Sequence, residues 1–209
     1  MTTPNRILLG VALVMLCAAG NGCGRQSALP PPAPERALPA PPPPASYGSP
    51  DQMMLGDAMR GGRQLPPAEV ANLSDRLLME NSSTLRDGET LARLEILLLK
   101  TLKNAPQELR ARLMRNLGII HYHNRKFKLA LNEFQASNEL NPKDARTHFY
   151  LARLYAHQGN IFLRQGQQKK SRGQFKLANM ELELARKLDP ANPAYRKNIK
   201  HILEQEQGR

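Results

Sequence analysis

Phe127-Lys128-Leu129-Ala130-Leu131-Asn132-Glu133-Phe134-Gln135-Ala136-Ser137-Asn138-Glu139-Leu140-Asn141-Pro142 returns 48 residues later, from Phe175-Lys176-Leu177-Ala178 through Glu181 to Leu188-Asp189-Pro190, with seven of 16 positions identical. Recurrence at a fixed period marks units that each bury an apolar face against a neighbour. Ala and large apolar residues recur every three or four positions, which is the period of a helix. Each copy closes on Asn-Pro or Asp-Pro, which cannot continue one. The expected fold is all-α.

The first copy extends upstream into a unit of 34 residues, Ala111 to Asp144. Its Leu117-Gly118, Tyr122, Phe127, Ala130, Phe134 and Pro142 stand where a tetratricopeptide repeat (TPR) carries its signature residues, and the unit resembles that repeat. It departs from the pattern at Met114, in place of an aromatic residue, and at the late small position, Ser137. The resemblance implies an antiparallel helix pair in which Gly118 and Ala130 are small where the helices cross. Leu117, Phe134 and Leu140 would fill the space between units.

The second unit begins at Ala145 and matches again at Leu151-Ala152, Tyr155, Gly159, Phe175, Ala178, Leu182, Ala185 and Pro190, with 14 extra residues. Fourteen residues make about four helical turns. Split evenly, they lengthen both helices by about two turns, keep the faces in register and put the turn near Gly166. A flexible loop is the alternative. Ile161-Phe162-Leu163 favours the longer hairpin, since a solvated loop rarely carries three consecutive large apolar residues.

Residues 191–209 follow, where Pro193 suits a first helical turn and Ile199, Ile202 and Leu203 form one apolar stripe. This reads as the polar capping helix of a repeat array. Residues 66–106 read as a worn helical pair. One helix runs from Pro66-Pro67 to about Asn81, Ser82 to Gly88 is a capped break, and Glu89 to Asn104 is a second helix. That second helix is apolar on nearly every side and is expected to be buried on nearly every side. Residues 107–144 and 145–190 are the two clearer units, so the whole is a TPR-like solenoid of antiparallel pairs with about seven helices.

Residues 1–23 read as a targeting segment outside the fold. Arg6 supplies the positive start, and Ile7 to Leu16 is an apolar run short for a membrane span. Ala18-Ala19-Gly20 would serve a general signal peptidase. Gly20-Asn21-Gly22-Cys23 resembles a bacterial lipoprotein box, although Gly20 replaces the usual Leu or Val. The chain has two cysteines, Cys17 inside the apolar run and Cys23. The mature part then has no thiol for a disulfide or a thiolate metal site, and lipidation of Cys23 explains its place better than redox chemistry. Gly24 is not the Asp that retains lipoproteins at the inner membrane, which points to an outer-membrane lipoprotein facing the periplasm. A soluble periplasmic or secreted protein is the alternative.

Residues 24–65 read as a linker. Nine of the fifteen residues from Pro30 to Pro44 are proline, a composition that favours extended polyproline II and a semi-rigid spacer.

From Pro67 to Arg209 the chain has 25 Lys plus Arg against 15 Asp plus Glu, and from Ala145 to Met180 seven basic residues and no acidic one. A long single-sign run points to an anionic surface nearby, such as lipid head groups, cell-wall polymer or an acidic partner. Nucleic acid fits the charge but not an exported chain. His121 and His123 fall on opposite helix faces, and His148 and His157 have no carboxylate between them, so neither pair reads as a metal site. Gly159, Gly166 and Gly173 lack the setting of a phosphate loop, and Ser82-Ser83-Thr84 read as caps. No enzyme, cofactor or metal is expected.

In the repeats that this chain resembles, outward residues of each first helix line a groove for a peptide or protein partner. Carried over by position, these are Arg112, Arg115, Asn116, Ile119, Tyr122 and His123 in one unit. The next unit supplies Arg146, Phe149, Tyr150, Arg153 and His157, and the cap supplies Lys197, Asn198 and His201. Arginine interleaved with aromatics is the composition of interface hot spots. The expected function is therefore an envelope-anchored protein-binding scaffold assisting a pilus, secretion or outer-membrane assembly. The alternative is a binder of anionic envelope polymer or lipid through the basic hairpin of Arg164, Lys169, Lys170 and Arg172.

Overall fold

Pro and Gly residues mark several of the boundaries between helices: Pro66-Pro67 at the start of the second, Pro142 between the fifth and sixth, and Gly166 between the sixth and seventh. A computed structural model of the chain describes residues 48–197. The readings at 1–23, at 24–47 and for Asn198, Ile199, His201, Ile202 and Leu203 lie outside the described residues. Among the described residues the chain is all-α. The helices are α1 (Pro50–Met59), α2 (Pro67–Leu77), α3 (Gly88–Leu102), α4 (Gln107–His123), α5 (Phe127–Leu140), α6 (Ala145–Arg164) and α7 (Gln168–Leu188). Short 3-10 turns occupy Ser83–Arg86 and Pro193–Arg196.

Local chemistry sets the ends. The Asp87 side chain accepts from the Glu89 and Thr90 N–H groups at the start of α3, and Asp144 accepts from Arg146 at the start of α6. Such caps satisfy donors that have no partner inside the helix. Proline opens α1 and α2, where its missing N–H costs nothing.

Helices α4 and α5 form one hairpin and α6 and α7 a second, and α5 packs on α6. Measured from the unit starts at Ala111 and Ala145, the first helices hold 13 and 20 residues, and α7 has 21 against 14 in α5. Each helix of the second hairpin is thus seven residues longer, and Gly166 sits in the turn between them with φ of 71°. The extra 14 residues form an extended hairpin rather than a loop. The core runs through all of these helices, with Leu94, Leu98, Leu113, Leu117, Ile120, Phe134 and Tyr150 at or near zero exposure. Ala130 and Ala178 are fully buried.

Four expectations are corrected. Residues 50–59, inside the stretch read as linker, form α1. It packs on α2 and α3 and buries Leu55, because Met54, Leu55 and Ala58 supply apolar contacts that the polyproline tract lacks. Helix α2 stops at Leu77 rather than near Asn81, because the next residues leave the helix to reach α6. The third difference is at α3, which is not buried all round: Ile96 is 56% and Leu99 46% exposed, since neighbours cover only the face of Leu91, Leu94, Leu97 and Leu98. Last, Leu140 does not fill the space between units and is 41% exposed at the end of α5.

A candidate binding pocket lined by arginines

The residues expected to line an open groove have partners within the chain. Asp75, on the last turn of α2, lies between α2 and α4. It accepts from Arg112 at 2.5 Å, from the Arg115 guanidinium, and from the Asn116 amide at 2.7 Å. Arg115 also donates to Asp144 at 2.8 Å. Burial pushes the Asp75 carboxyl up, but Arg115, Arg112 and Asn116 outweigh it and hold the pKa below the ordinary value. Asn116, Ile119 and Tyr150 are fully buried, and Arg115, Tyr122 and Phe149 nearly so. All but Tyr122, which also lines the cavity described below, pack and pair between helices rather than face a ligand. The groove reading fails for these residues because spacing fixes a helix face but not what covers that face.

The cover is the chain itself. Beyond α2 the backbone passes α6 at Leu78 and then turns at Asn81, whose φ is 67°. The Leu78 carbonyl accepts from the Arg146 guanidinium, 68 residues away in sequence. Glu80 follows. Burial raises its pKa, against the pull of Arg146, Arg153 and Lys197.

Where this covering segment ends, a cavity of about 790 Å³ opens. Asn81, Ser82, Leu85 and Arg86 form one wall, and Tyr122, His123, Arg125 and Phe127 form a second, at the α4–α5 turn. The third wall is α6, with Arg153, His157, Asn160, Ile161 and Arg164. Arg146, Arg153, His157 and Arg164 are spaced by seven, four and seven residues, so they share one face of α6. Asn160, Ile161 and Arg164 belong to the part of α6 that extends past the level where α4 ends. The lengthened hairpin builds that wall.

Among the described residues, four arginines and two histidines line the cavity, and no Asp or Glu does. The Arg153 guanidinium lies 4.7 Å from the Tyr122 ring centroid, 5.2 Å from Tyr150 and 5.6 Å from Phe149. Stacking of this kind holds a cation in a fixed orientation. The Phe127 and His157 rings meet at 4.2 Å. Of the expected groove residues, Tyr122, His123, Arg153 and His157 come together here, and so does Arg164 of the expected basic hairpin. Arg112 and Arg146 are held by Asp75 and Leu78 instead. Lys197 is exposed at the end of the described residues, and Lys169, Lys170 and Arg172 are exposed on the first turns of α7, outside the pocket lining.

Sequence reasoning missed Arg86 and Arg125. One signal was present for Arg125. The turn after α4 and the turn after α6 are built alike: Lys126 N–H donates to the His121 carbonyl and Gln167 N–H to the Phe162 carbonyl, each at 2.8 Å. This closure needs a left-handed residue, usually Gly. Gly166 fills that position in one turn, and Arg125, with φ of 58°, fills it in the other. Asn81 and Arg125 are the non-glycine residues with positive φ among the described residues, and both line the pocket.

Among the described residues, no group of three or more His, Cys, Asp or Glu side chains converges as a metal site, and no helix is long and apolar enough to cross a membrane. No protein-family model, curated protein or solved structure matches the chain.

Proposed function

We propose that this chain is a non-catalytic binding scaffold of tetratricopeptide type, held at the bacterial envelope by a lipid on Cys23, with a protein partner seated in the pocket between α4 and α6. The observation that carries the reading is the pocket wall itself. The 14-residue extension of the second hairpin supplies Asn160, Ile161 and Arg164 to a cavity. Cavities of this size are typical of ligand sites, and aromatic residues beside arginine are typical of their anchors. The helix pairs, with Gly118 and Ala130 at the positions the repeat assigns to small residues, support the scaffold part. Envelope assembly of a pilus, secretion or outer-membrane complex is the setting that the targeting segment and linker favour.

The test is a pulldown from envelope extract with the chain and with its Arg153→Ala and Arg164→Ala variants, at low and high salt. The reading expects one discrete partner, weakened several-fold in both variants and largely retained at high salt. A second reading has its own observation. Arg164, Lys169, Lys170 and Arg172 are all exposed on the hairpin, which suits an anionic polymer or lipid surface. Binding of that kind collapses as salt rises and depends on Lys169, Lys170 and Arg172 rather than on Arg153.

A further inference from the structure

Leu177, Met180, Leu184 and Leu188 are spaced by three, four and four residues and so share one face of α7. Among the described residues that face is open, each of the four being 39 to 55% exposed. The matching positions of α5, 48 residues earlier, are Leu129, Asn132, Ala136 and Leu140. Leu129 and Leu140 are exposed there too, although α6 packs on α5 and the second hairpin follows. This face therefore points outward from a unit whatever helix comes next. Two of its positions, polar or small in α5, hold Met180 and Leu184 in α7. Packing within the chain does not explain that exchange, because neither side chain is buried.

Cations frame the row. Lys170 lies seven residues before Leu177 and continues its line toward the turn. Lys169, Lys176 and Lys187 are seven and eleven residues apart, two and three helical turns, and make a second row alongside. All four lysines are exposed, as is Arg172. The two glutamates of α7 are held within the chain, Glu181 by the His148 ring at 2.6 Å and Glu183 by the Arg186 guanidinium at 3.3 Å.

We propose that this face of α7 seats on an anionic lipid bilayer. Leu177, Met180, Leu184 and Leu188 enter the boundary between headgroups and acyl chains, and the lysines meet the lipid phosphates. An apolar row beside lysines lets a helix lie in a membrane surface without crossing it, and α7 is not apolar enough to cross. Lysine stems reach from the apolar boundary to the charged layer. The proposal rests on reading the hairpin cations as a site for an anionic surface, and it selects lipid. A polyanion would use the cations and leave the apolar row without a role. A second copy of the chain would cover the row but bring lysine against lysine. The pocket draws on α6 and not on α7, so seating through α7 does not occupy it.

The chain has no Trp, so Met180→Trp places a single fluorophore in the row, read separately from any lipid on Cys23. Phosphatidylglycerol vesicles should shift its emission to the blue and, when brominated, quench it. Phosphatidylcholine vesicles should do neither. Leu177→Ser/Leu184→Ser in that background should abolish both signals and leave the melting temperature level, since both residues are exposed. Lys169→Ala/Lys170→Ala/Lys176→Ala should weaken vesicle binding roughly fivefold for each lysine removed. Emission unmoved by phosphatidylglycerol, or moved equally by both lipids, would overturn the proposal. A blue shift that grows with protein concentration in the absence of lipid would give the row to self-association instead. Binding to dextran sulfate that is lost in the lysine variant, with no response to vesicles, would leave the anionic-surface reading standing and remove lipid from it.

Discussion

Gly118 of α4 faces the ring of Phe134 of α5 so closely that a Cβ at position 118 would lie 2.8 Å from the ring. The second hairpin repeats the relationship at Gly159 and Phe175, where the distance is 3.1 Å. Gly118→Ala should therefore destabilise the chain by about 1–3 kcal/mol through overpacking, against a helix-propensity gain of up to about 1 kcal/mol. Gly159→Ala should cost less, because its neighbour needs to yield only slightly. Chemical denaturation of the two variants checks the order, and a larger loss at Gly159 would contradict it.

Asp75 ties α2 to α4, and its loss should be felt as structure rather than as binding. Asp75→Asn should cost about 1.5–3 kcal/mol at neutral pH, the range for hydrogen bonds to charged groups. The pKa of Asp75 is lowered in the fold. Its contribution is therefore present above the unfolded value of about 3.9 and is lost as pH falls through the folded value. The variant should show a shallower fall in stability at acid pH than the parent. Parallel curves would remove Asp75 from the acid response.

His148 makes the opposite pH prediction. Its Nδ1 lies 2.6 Å from the Glu181 carboxylate and its Nε2 2.9 Å from the Pro142 carbonyl. Both neighbours are acceptors, so only the doubly protonated ring can donate to both. The hydrogen bond to Glu181 raises the pKa, and it outweighs burial. The stabilisation is then complete below the unfolded value of about 6.5 and is lost as pH rises through the folded value. A His148→Gln variant should approach the parent in stability as pH is raised past neutrality. A difference independent of pH would show that the ring stays neutral.

If Cys23 carries a lipid, Cys23→Ala should move the protein from the membrane fraction to the soluble one and abolish incorporation of labelled fatty acid. A parent protein that is soluble and unlabelled would end the lipoprotein reading.

Periodicity made the helices legible, along with the even seven-residue lengthening of the second hairpin and the turn at Gly166. Those features follow from local rules: apolar spacing, proline, and a turn residue that tolerates a left-handed backbone. What covers a helix face does not follow from local rules. Asn116 and Tyr150 stand at positions that would face a groove in the repeats this chain resembles, yet both are buried. Asn116 is covered by Asp75, some 40 residues upstream, and Tyr150 packs on the rings of Tyr122, Phe134 and Phe149. Met54 and Leu55 lie in the stretch read as linker, and their helix was missed because ten residues carry a weak pattern. The pocket was half legible. Arg153, His157 and Arg164 lie on the predicted helix, whereas Arg86 and Arg125 reach it only through loops.

The bond from Arg146 to the Leu78 carbonyl has a consequence for folding. In an array whose units touch only their neighbours, terminal units can fray one at a time and the middle can outlive them. Here the residues after α2 are fastened to α6, across the whole of the α4–α5 hairpin between them in sequence. Opening either end releases the clasp, so the ends should melt together. Hydrogen exchange would show it as one shared opening energy for amides in α2 and α6, rather than a gradient of protection falling toward the termini.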